Sequence, residues 1–239
     1  MKISIVIPAH NEEKNVERII NLLLNNFDDY IGEIIIVNDC STDNTALILN
    51  KLKMKIKKIK PLHRKGEKGV GNAIRGGLRI VDKSCDYVLL LDCDFVENIK
   101  DIKKMLKQAS NFDGLVGSRY IKKGSLVNYP VAKKIANRIF HKLINLLLGI
   151  KHVDLTNNFK LYKMQVIESI LPLLDSSGFS INAETGLYPV LLGYKIKEIP
   201  VSWIGRTVEM GRSNFQVVKA GPGYVKVLIK ALRFKYFNQ

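Results

Sequence analysis

The chain is poor in the residues that hold unusual architectures together. It has three cysteines, an odd number at no metal-ligand spacing. Neither a disulfide scaffold nor a zinc module is expected; the thiols read as incidental and suit a reducing compartment. No apolar run approaches the ~18 residues that mark a membrane span. The four histidines, His10, His63, His141 and His152, form no ligand spacing and read as structural or surface residues. There is no internal repeat and no low-complexity linker. Met1-Lys2 leads directly into Ile3-Ser4-Ile5-Val6-Ile7, without the shape of a signal peptide. Acids are scarce: 22 Asp and Glu stand against 38 Lys and Arg, a net charge of +16. Such a surplus implies an anionic partner: nucleic acid, acidic lipid headgroups or phosphorylated substrates.

What is present suits a globular enzyme. The 239 residues are 46% hydrophobic, enough for one large α/β domain or a domain with an appendage, and too apolar for global disorder. Residues 3–7 read as a buried strand closed by Pro8. Residues 12–26 carry a helical stripe of Val16, Ile19, Ile20, Leu23 and Leu24. Ile34–Val37 is a second strand, followed by a helix over 44–53 that Thr42 or Asp43 can cap. A short strand is expected at Ile56–Ile59. The glycine-rich Gly66–Gly77 leads into a helix, a strand runs over 87–91, a helix lies near 99–109 and a strand near Leu115-Val116. Alternation of this kind indicates a mostly parallel sheet with helices on both faces.

After about residue 125 the pattern changes. Residues 131–148 place Val131, Ile135, Ile139, Leu143 and Leu147 on one face, with Lys133, Lys134, Arg138, His141 and Lys142 largely elsewhere. Residues 217–235 repeat the arrangement, with Val218, Val225, Leu228, Ile229 and Leu232 set against Lys219, Lys226, Lys230, Arg233 and Lys235. Basic amphipathic helices lie in membrane interfaces or pack as ordinary surface helices.

Chemistry concentrates in four loops, each after an expected strand. Tyr87-Val88-Leu89-Leu90-Leu91-Asp92-Cys93-Asp94 is the most informative. A buried strand ends in two acids one residue apart, at the end where open α/β sheets bind ligands. Two such acids repel unless a cation joins them, and a hard divalent ion bridges carboxylates to a substrate diphosphate. The other loops are Pro8-Ala9-His10-Asn11-Glu12-Glu13, Asn38-Asp39-Cys40-Ser41-Thr42-Asp43-Asn44-Thr45 and Lys68-Gly69-Val70-Gly71-Asn72-Ala73. Lys68, beside the backbone-open Gly69, is placed to meet phosphate.

In this order and spacing the four loops resemble glycosyltransferase family 2, inverting nucleotide-sugar transferases of the GT-A fold. Within it the chain is most similar to dolichyl-phosphate mannose synthases and related polyprenyl-phosphate hexosyltransferases, over about residues 3–215. The resemblance implies an α/β, Rossmann-like GT-A fold with a mostly parallel central sheet, helices on both faces and C-terminal amphipathic helices. It implies a catalytic domain over 1–215, with a basic amphipathic helix at 216–239 on a membrane surface. Pro8, Ala9, Asn11 and Glu12 would hold base and ribose, Asp39 would contact the base, and Asp92 and Asp94 would hold Mg²⁺ or Mn²⁺ on the donor diphosphate. That ion would stabilise the charge building on the leaving group.

Further matches are Gly117-Ser118-Arg119-Tyr120, Asp154-Leu155-Thr156-Asn157-Asn158-Phe159 and Glu198-Ile199-Pro200-Val201. Asn157-Asn158 stands where the family has Ser-Gly. Arg206 with Gly211-Arg212-Ser213-Asn214 resembles the closing Arg-x-x-Gly-x-Ser-Lys loop, with wider spacing and Asn for Lys. Cys40 replaces the common Gly of the second loop and Asn38 its common first Asp. The expected catalytic residues are Asp94, Arg119, Glu184 and Arg206. Lys68, Lys133, Lys134, Arg138, Arg212 and Ser213 join the substrate-binding set.

A phosphate acceptor needs no strong general base, because its second pKa is about 6. It needs cations to hold two negative substrates together, a field that Arg119, Lys133, Lys134, Arg138 and Arg206 would supply. The expected activity is transfer of mannose or glucose from a nucleotide-sugar, GDP-mannose favoured and UDP-glucose possible, to a polyprenyl or dolichyl phosphate. The protein would work peripherally at the cytoplasmic face of an anionic membrane. A saccharide hydroxyl acceptor, with Glu184 or an Asp as base, is the alternative. Nucleic-acid binding, suggested by +16 and the lysine-rich run Lys51–Lys68, lacks a recognition signature and aromatic interleaving.

Overall fold

The structure, a computed structural model, describes residues 1–96, 99–121, 126–127, 129–204 and 216–237. In chain order the elements are β1 (Ile3–Ala9), α1 (Val16–Phe27), β2 (Ile31–Asp39), α2 (Thr45–Lys55), β3 (Ile59–Arg64), α3 (Val70–Arg79), β4 (Tyr87–Leu90), α4 (Asp101–Leu106) and β5 (Gly114–Ser118). There follow β6 (Leu126–Val127), α5 (Val131–Leu148), β7 (Lys160–Lys163), α6 (Met164–Ile170), α7 (Ile181–Leu191), β8 (Ile196–Pro200), β9 (Trp203–Ile204) and α8 (Val217–Phe237).

Seven strands form one sheet in the order β3-β2-β1-β4-β7-β5-β8. All run parallel except β7, which lies antiparallel between β4 and β5. The strands are apolar on both faces, as a sheet covered by helices on both sides requires. Ile5 and Ile7 face a core layer shared with α1, α2 and α4, while Val6 faces the layer built with α3 and α5–α8. In β2, Ile34 and Ile36 alternate with Ile35 and Val37 in the same way. β6 and β9 pair separately as a short parallel ribbon.

Two expected boundaries move. The helix expected from residue 12 starts at Val16, because the preceding backbone is held by the loop after β2: Glu12 N donates to Thr45 Oγ1 at 2.9 Å and Glu13 N to Asp43 Oδ2 at 3.1 Å. The strand expected at 56–59 runs instead from Ile59 to Arg64. It is an edge strand, where Pro61 and alternating cations are tolerated.

α5 and α8 pack against each other and onto the second core layer. α5 buries Phe140, Ile144 and Leu148, not the stripe most visible in its sequence. Val131, Ile135, Ile139 and Leu143 of that stripe face outward. α8 buries Val227, Leu228 and Ala231 and leaves Val218, Val225 and Ile229 exposed. Among the described residues no helix is long and apolar enough to cross a membrane.

Candidate active site

The C-terminal ends of β1, β2 and β4 and the loop after β3 meet at one sheet edge, under a cavity of about 850 Å³. Pro8, Ala9, Glu12, Asp39 and Lys68 line one end of it. Glu12 is buried, and its Oε2 accepts from Asn15 Nδ2 at 2.6 Å. Asp39 is a junction: it pairs with Arg64, accepts from Gly69 N at 2.6 Å, and its backbone oxygen accepts from His10 Nδ1 at 2.7 Å. The Gly69 amide, expected to be open for phosphate, is therefore taken by Asp39. Asn11 does not line the cavity. It adopts φ 56° and ties the first loop to the second, its Oδ1 accepting from Thr42 N at 2.8 Å.

The glycines of the third loop serve close packing. Gly71 N donates to Ser177 O at 2.7 Å, and a Cβ at Gly71 would stand 2.0 Å from Ser176 O. That 175–178 segment is held in turn by Glu184, whose Oε2 accepts from Asp175 N at 3.0 Å and Ser176 N at 3.1 Å. Glu184 is fully buried, burial pushes its pKa up, and it does not line the cavity. The structure thus places this expected catalytic acid behind the site, where it braces the wall of the glycine loop.

Asp92 and Asp94 stand half-buried on the cavity wall, with Cys93 between them turned into the core. No group of three His, Cys, Asp or Glu side chains forms a protein-only metal cage among the described residues. Two carboxylates beside an open cavity suit Mg²⁺ or Mn²⁺, which keep waters and take substrate phosphate oxygens to complete their shell. Asp92 and Asp94 would hold such an ion, and its charge would stabilise a departing diphosphate. Asn158 Nδ2 donates to Asp92 Oδ1 at 2.8 Å and fixes that carboxylate.

Arg119 stands on the opposite wall, backed by the fully buried Asp154. Arg119 donates to Asp154 through its backbone N at 2.9 Å, Nε at 2.7 Å and Nη2 at 2.8 Å. Burial works against both charges; the pairing outweighs it, holding Arg119 above its ordinary pKa and Asp154 below. Tyr120, Tyr129 and Trp203 surround the guanidinium at 5.5–5.8 Å. The Asp154 backbone is itself held, its N donating to Glu198 Oε1 at 2.7 Å. Lys133 lines the cavity, whereas Lys134 is exposed away from it. Arg138 also lies outside the lining: it donates to Val153 O at 2.7 Å and stacks over Tyr120. Arg206, Arg212 and Ser213 lie outside the described residues. Beneath both walls, the fully buried Lys160 donates to Asn182 O and Thr185 Oγ1, each at 2.7 Å, and burial pushes its pKa down to about 7.

The remaining wall is apolar: Ile139, Phe140 and Leu143 from α5, with Tyr224, Val225 and Leu228 from α8. α8's share was invisible in the motifs, as was Trp203, which stands out in the sequence only as the single tryptophan.

A Rossmann-like sheet with a strand-end Asp-x-Asp facing such a cavity defines a sugar-nucleotide transferase of the GT-A type. The chain belongs to Glycosyl transferase family 2, whose profile matches residues 4–171. It is 24% identical over 231 residues to an undecaprenyl-phosphate mannosyltransferase of Micrococcus luteus, covering 95% of this chain and 93% of that protein. It is 31% identical over 139 residues to a dolichol-phosphate mannosyltransferase of Pyrococcus furiosus, covering 58% of this chain and 39% of that one. Among solved structures, glucosyl-3-phosphoglycerate synthase from Mycobacterium tuberculosis, in complex with Mn²⁺ and uridine-diphosphate-glucose, aligns with a TM-score of 0.70 at 16% identity. That alignment covers 98% of this chain and 78% of that one, and it establishes the fold.

Proposed function

We propose that this glycosyltransferase moves a hexose from a nucleotide-sugar to a polyprenyl phosphate at a membrane surface. The observation that carries the reading is the outward apolar stripe of α5, which runs through Ile135, Ile139 and Leu143 and enters the cavity at its last two members. An isoprenoid chain in a bilayer can follow that stripe to the metal carboxylates. Lys134 and Lys142 on α5, and Lys219 and Lys226 on α8, supply charges for anionic headgroups. The relatives named above act, by their names, on polyprenyl phosphates and transfer mannose, which favours GDP-mannose as donor; the structural relative's ligand keeps UDP-glucose in view.

The division of labour follows from the walls. Pro8, Ala9, Glu12 and Asp39 take the nucleoside, with Lys68 near the phosphates. Asp92 and Asp94 hold Mg²⁺ or Mn²⁺. Arg119 and Lys133 face the acceptor phosphate, which attacks the anomeric carbon as the diphosphate leaves. Arg206, Arg212 and Ser213 join the donor-side residues. A hydroxyl acceptor would require a spare base; among the described residues the carboxylates lining the cavity are Glu12, Asp39, Asp92 and Asp94, all given to nucleotide or metal here. Reduced thiols and a nucleotide-sugar substrate suit the cytoplasmic face.

The test is transfer of radiolabelled mannose or glucose from GDP-mannose or UDP-glucose to a short-chain polyprenyl phosphate, with Mn²⁺ or Mg²⁺, in parallel with saccharide acceptors. Lipid-linked product, lost on chelation and in a folded Asp94→Ala variant, is expected. Product only on a saccharide hydroxyl would refute the acceptor assignment.

A further inference from the structure

His141 is 2% exposed, does not line the cavity and has no part in the division of labour above. Both its ring nitrogens are engaged. Leu155 N donates to Nε2 at 2.8 Å, so Nε2 carries the lone pair and Nδ1 the hydrogen. Nδ1 lies 2.8 Å from Asn137 O, a carbonyl that can only accept, which selects the same tautomer. Burial pushes the His141 pKa down against the pull of Asp154, so the ring is neutral at ordinary pH.

The ring holds the loop that backs Arg119. Leu155 is fully buried, so without the ring its N–H would find no water in exchange. Before it stands Asp154, which takes three hydrogen bonds from Arg119. After it stands Thr156, whose Oγ1 accepts from Asn137 Nδ2 at 2.6 Å. Arg138 adds its bond to Val153 O at 2.7 Å. One edge of α5 thus grips this loop at three points. Asn137 lines the cavity and can meet a substrate directly, and Arg138 brings charge and stacks over Tyr120. His141, neutral and behind the wall, can act only through the loop.

A guanidinium forked onto a carboxylate points where that carboxylate sets it. A shift of Leu155 carries Asp154 with it, and with Asp154 the Arg119 side chain that lines the cavity. The base-side residues Pro8, Glu12 and Asp39 belong to other parts of the chain, at the ends of β1 and β2. A disturbance at His141 therefore falls on the acceptor before the donor.

We propose that His141 is a positioning residue for acceptor binding: its Nε2 fixes Leu155, which sets Asp154, which aims Arg119 at the acceptor phosphate. The inference rests on the polyprenyl-phosphate reading above and adds a residue that serves the acceptor without touching it.

Steady-state transfer to a short-chain polyprenyl phosphate in Mn²⁺ tests it on the full chain, with whichever of GDP-mannose and UDP-glucose the wild type uses. The variants are His141→Phe and His141→Gln. Phenylalanine fills the space of the ring and loses its lone pair; glutamine can set an amide oxygen where Nε2 stands. His141→Phe should raise the acceptor KM about 5- to 10-fold, with kcat and the donor KM within about twofold of wild type. His141→Gln should bring the acceptor KM back to within about threefold. A residue that merely fills the core would disturb donor and acceptor constants alike and would gain nothing from glutamine. An unchanged acceptor KM in folded His141→Phe overturns the proposal. So does a donor KM raised by the same factor, or a glutamine variant no better than phenylalanine. If His141→Phe does not fold, His141→Asn takes its place, since its amide reaches toward Asn137 O and stops short of Leu155. These outcomes leave the acceptor reading standing; a wild type that makes no polyprenyl-linked product overturns that reading and this proposal together.

Discussion

Replacing Asp154 by asparagine keeps the shape of the side chain and removes one charge from a place that solvent hardly reaches. Arg119 is 7% exposed and Asp154 0%. In Asp154→Asn the guanidinium stays charged, because arginine does not deprotonate in proteins. It is then left among Tyr120, Tyr129 and Trp203, whose faces contribute about 0.5–2 kcal/mol each at best. Breaking one side of a buried pair costs about 3–5 kcal/mol, a large share of the ~5–15 kcal/mol that holds a domain folded. Urea unfolding should show a lower midpoint at an unchanged slope. Arg119→Met should cost a similar amount, since it strands a buried carboxylate. The double variant strands neither charge, so its loss should fall well short of the sum of the singles. Additive losses would refute the idea that these two residues act as one unit. The pH dependence has a definite sign. Burial raises the Asp154 carboxyl's pKa and Arg119 lowers it further, leaving it below its ordinary 3.8 in the fold. This stabilisation is fully present above 3.8 and is lost as pH falls through the lower folded value. Wild type should therefore be steeper than Asp154→Asn in the acid limb of a stability–pH curve.

Gly71→Ala sets a methyl against Ser176 O and should destabilise by about 1–3 kcal/mol, raising donor KM as the 175–178 segment shifts; unchanged donor KM would show that this wall does not shape the site. Lys160 releases its proton near pH 7 when folded and near 10.5 when unfolded, so the unfolded chain binds more protons between those values and this residue makes stability rise with pH there. Lys160→Met should flatten that slope in urea titrations from pH 7 to 9.5; an unchanged slope would mean that the ammonium keeps its ordinary pKa. Val225→Glu with Ile229→Glu, both at exposed positions, should lower sedimentation with anionic liposomes at low salt while leaving the melting temperature in place. Equal sedimentation of variant and wild type would detach α8 from membrane contact.

The β1–β4 half of the sheet was legible because it obeys local rules. β1, β2 and β4 are dominated by apolar residues, and the loops that follow them carry polar residues in the family's order. Other features hide for physical reasons. β7 is four residues long with lysine at each end, and a fully buried lysine defeats any reading of polarity as exposure. α5 is apolar on two faces, so its periodicity shows a stripe without saying which stripe meets the core. Glu184 looks like a catalytic acid in sequence because chemistry and bracing use the same carboxylate; only its bonds to Asp175 N and Ser176 N distinguish them. Asn158 shows in the sequence only as a departure from the resembling segment, and its bond to Asp92 exists only once the chain has closed around it.

The reversed strand inside the sheet has a consequence for how the chain assembles. β4 and β5 never touch as partners; each pairs with β7 instead. The strands β1 to β4 can therefore zip together as the first 90 or so residues emerge, whereas β5 has no slot to enter until Lys160–Lys163 has been made. Residues 114–118 must wait as an unpaired apolar strand while more than forty further residues are synthesised, α5 among them. Non-local pairing of this kind is slow and exposes sticky edges. The order of synthesis completes β1 to β4 first, and a ribosome stalled between residues 118 and 160 would hold out that parallel half with β5 still lacking the strand that joins it to β4.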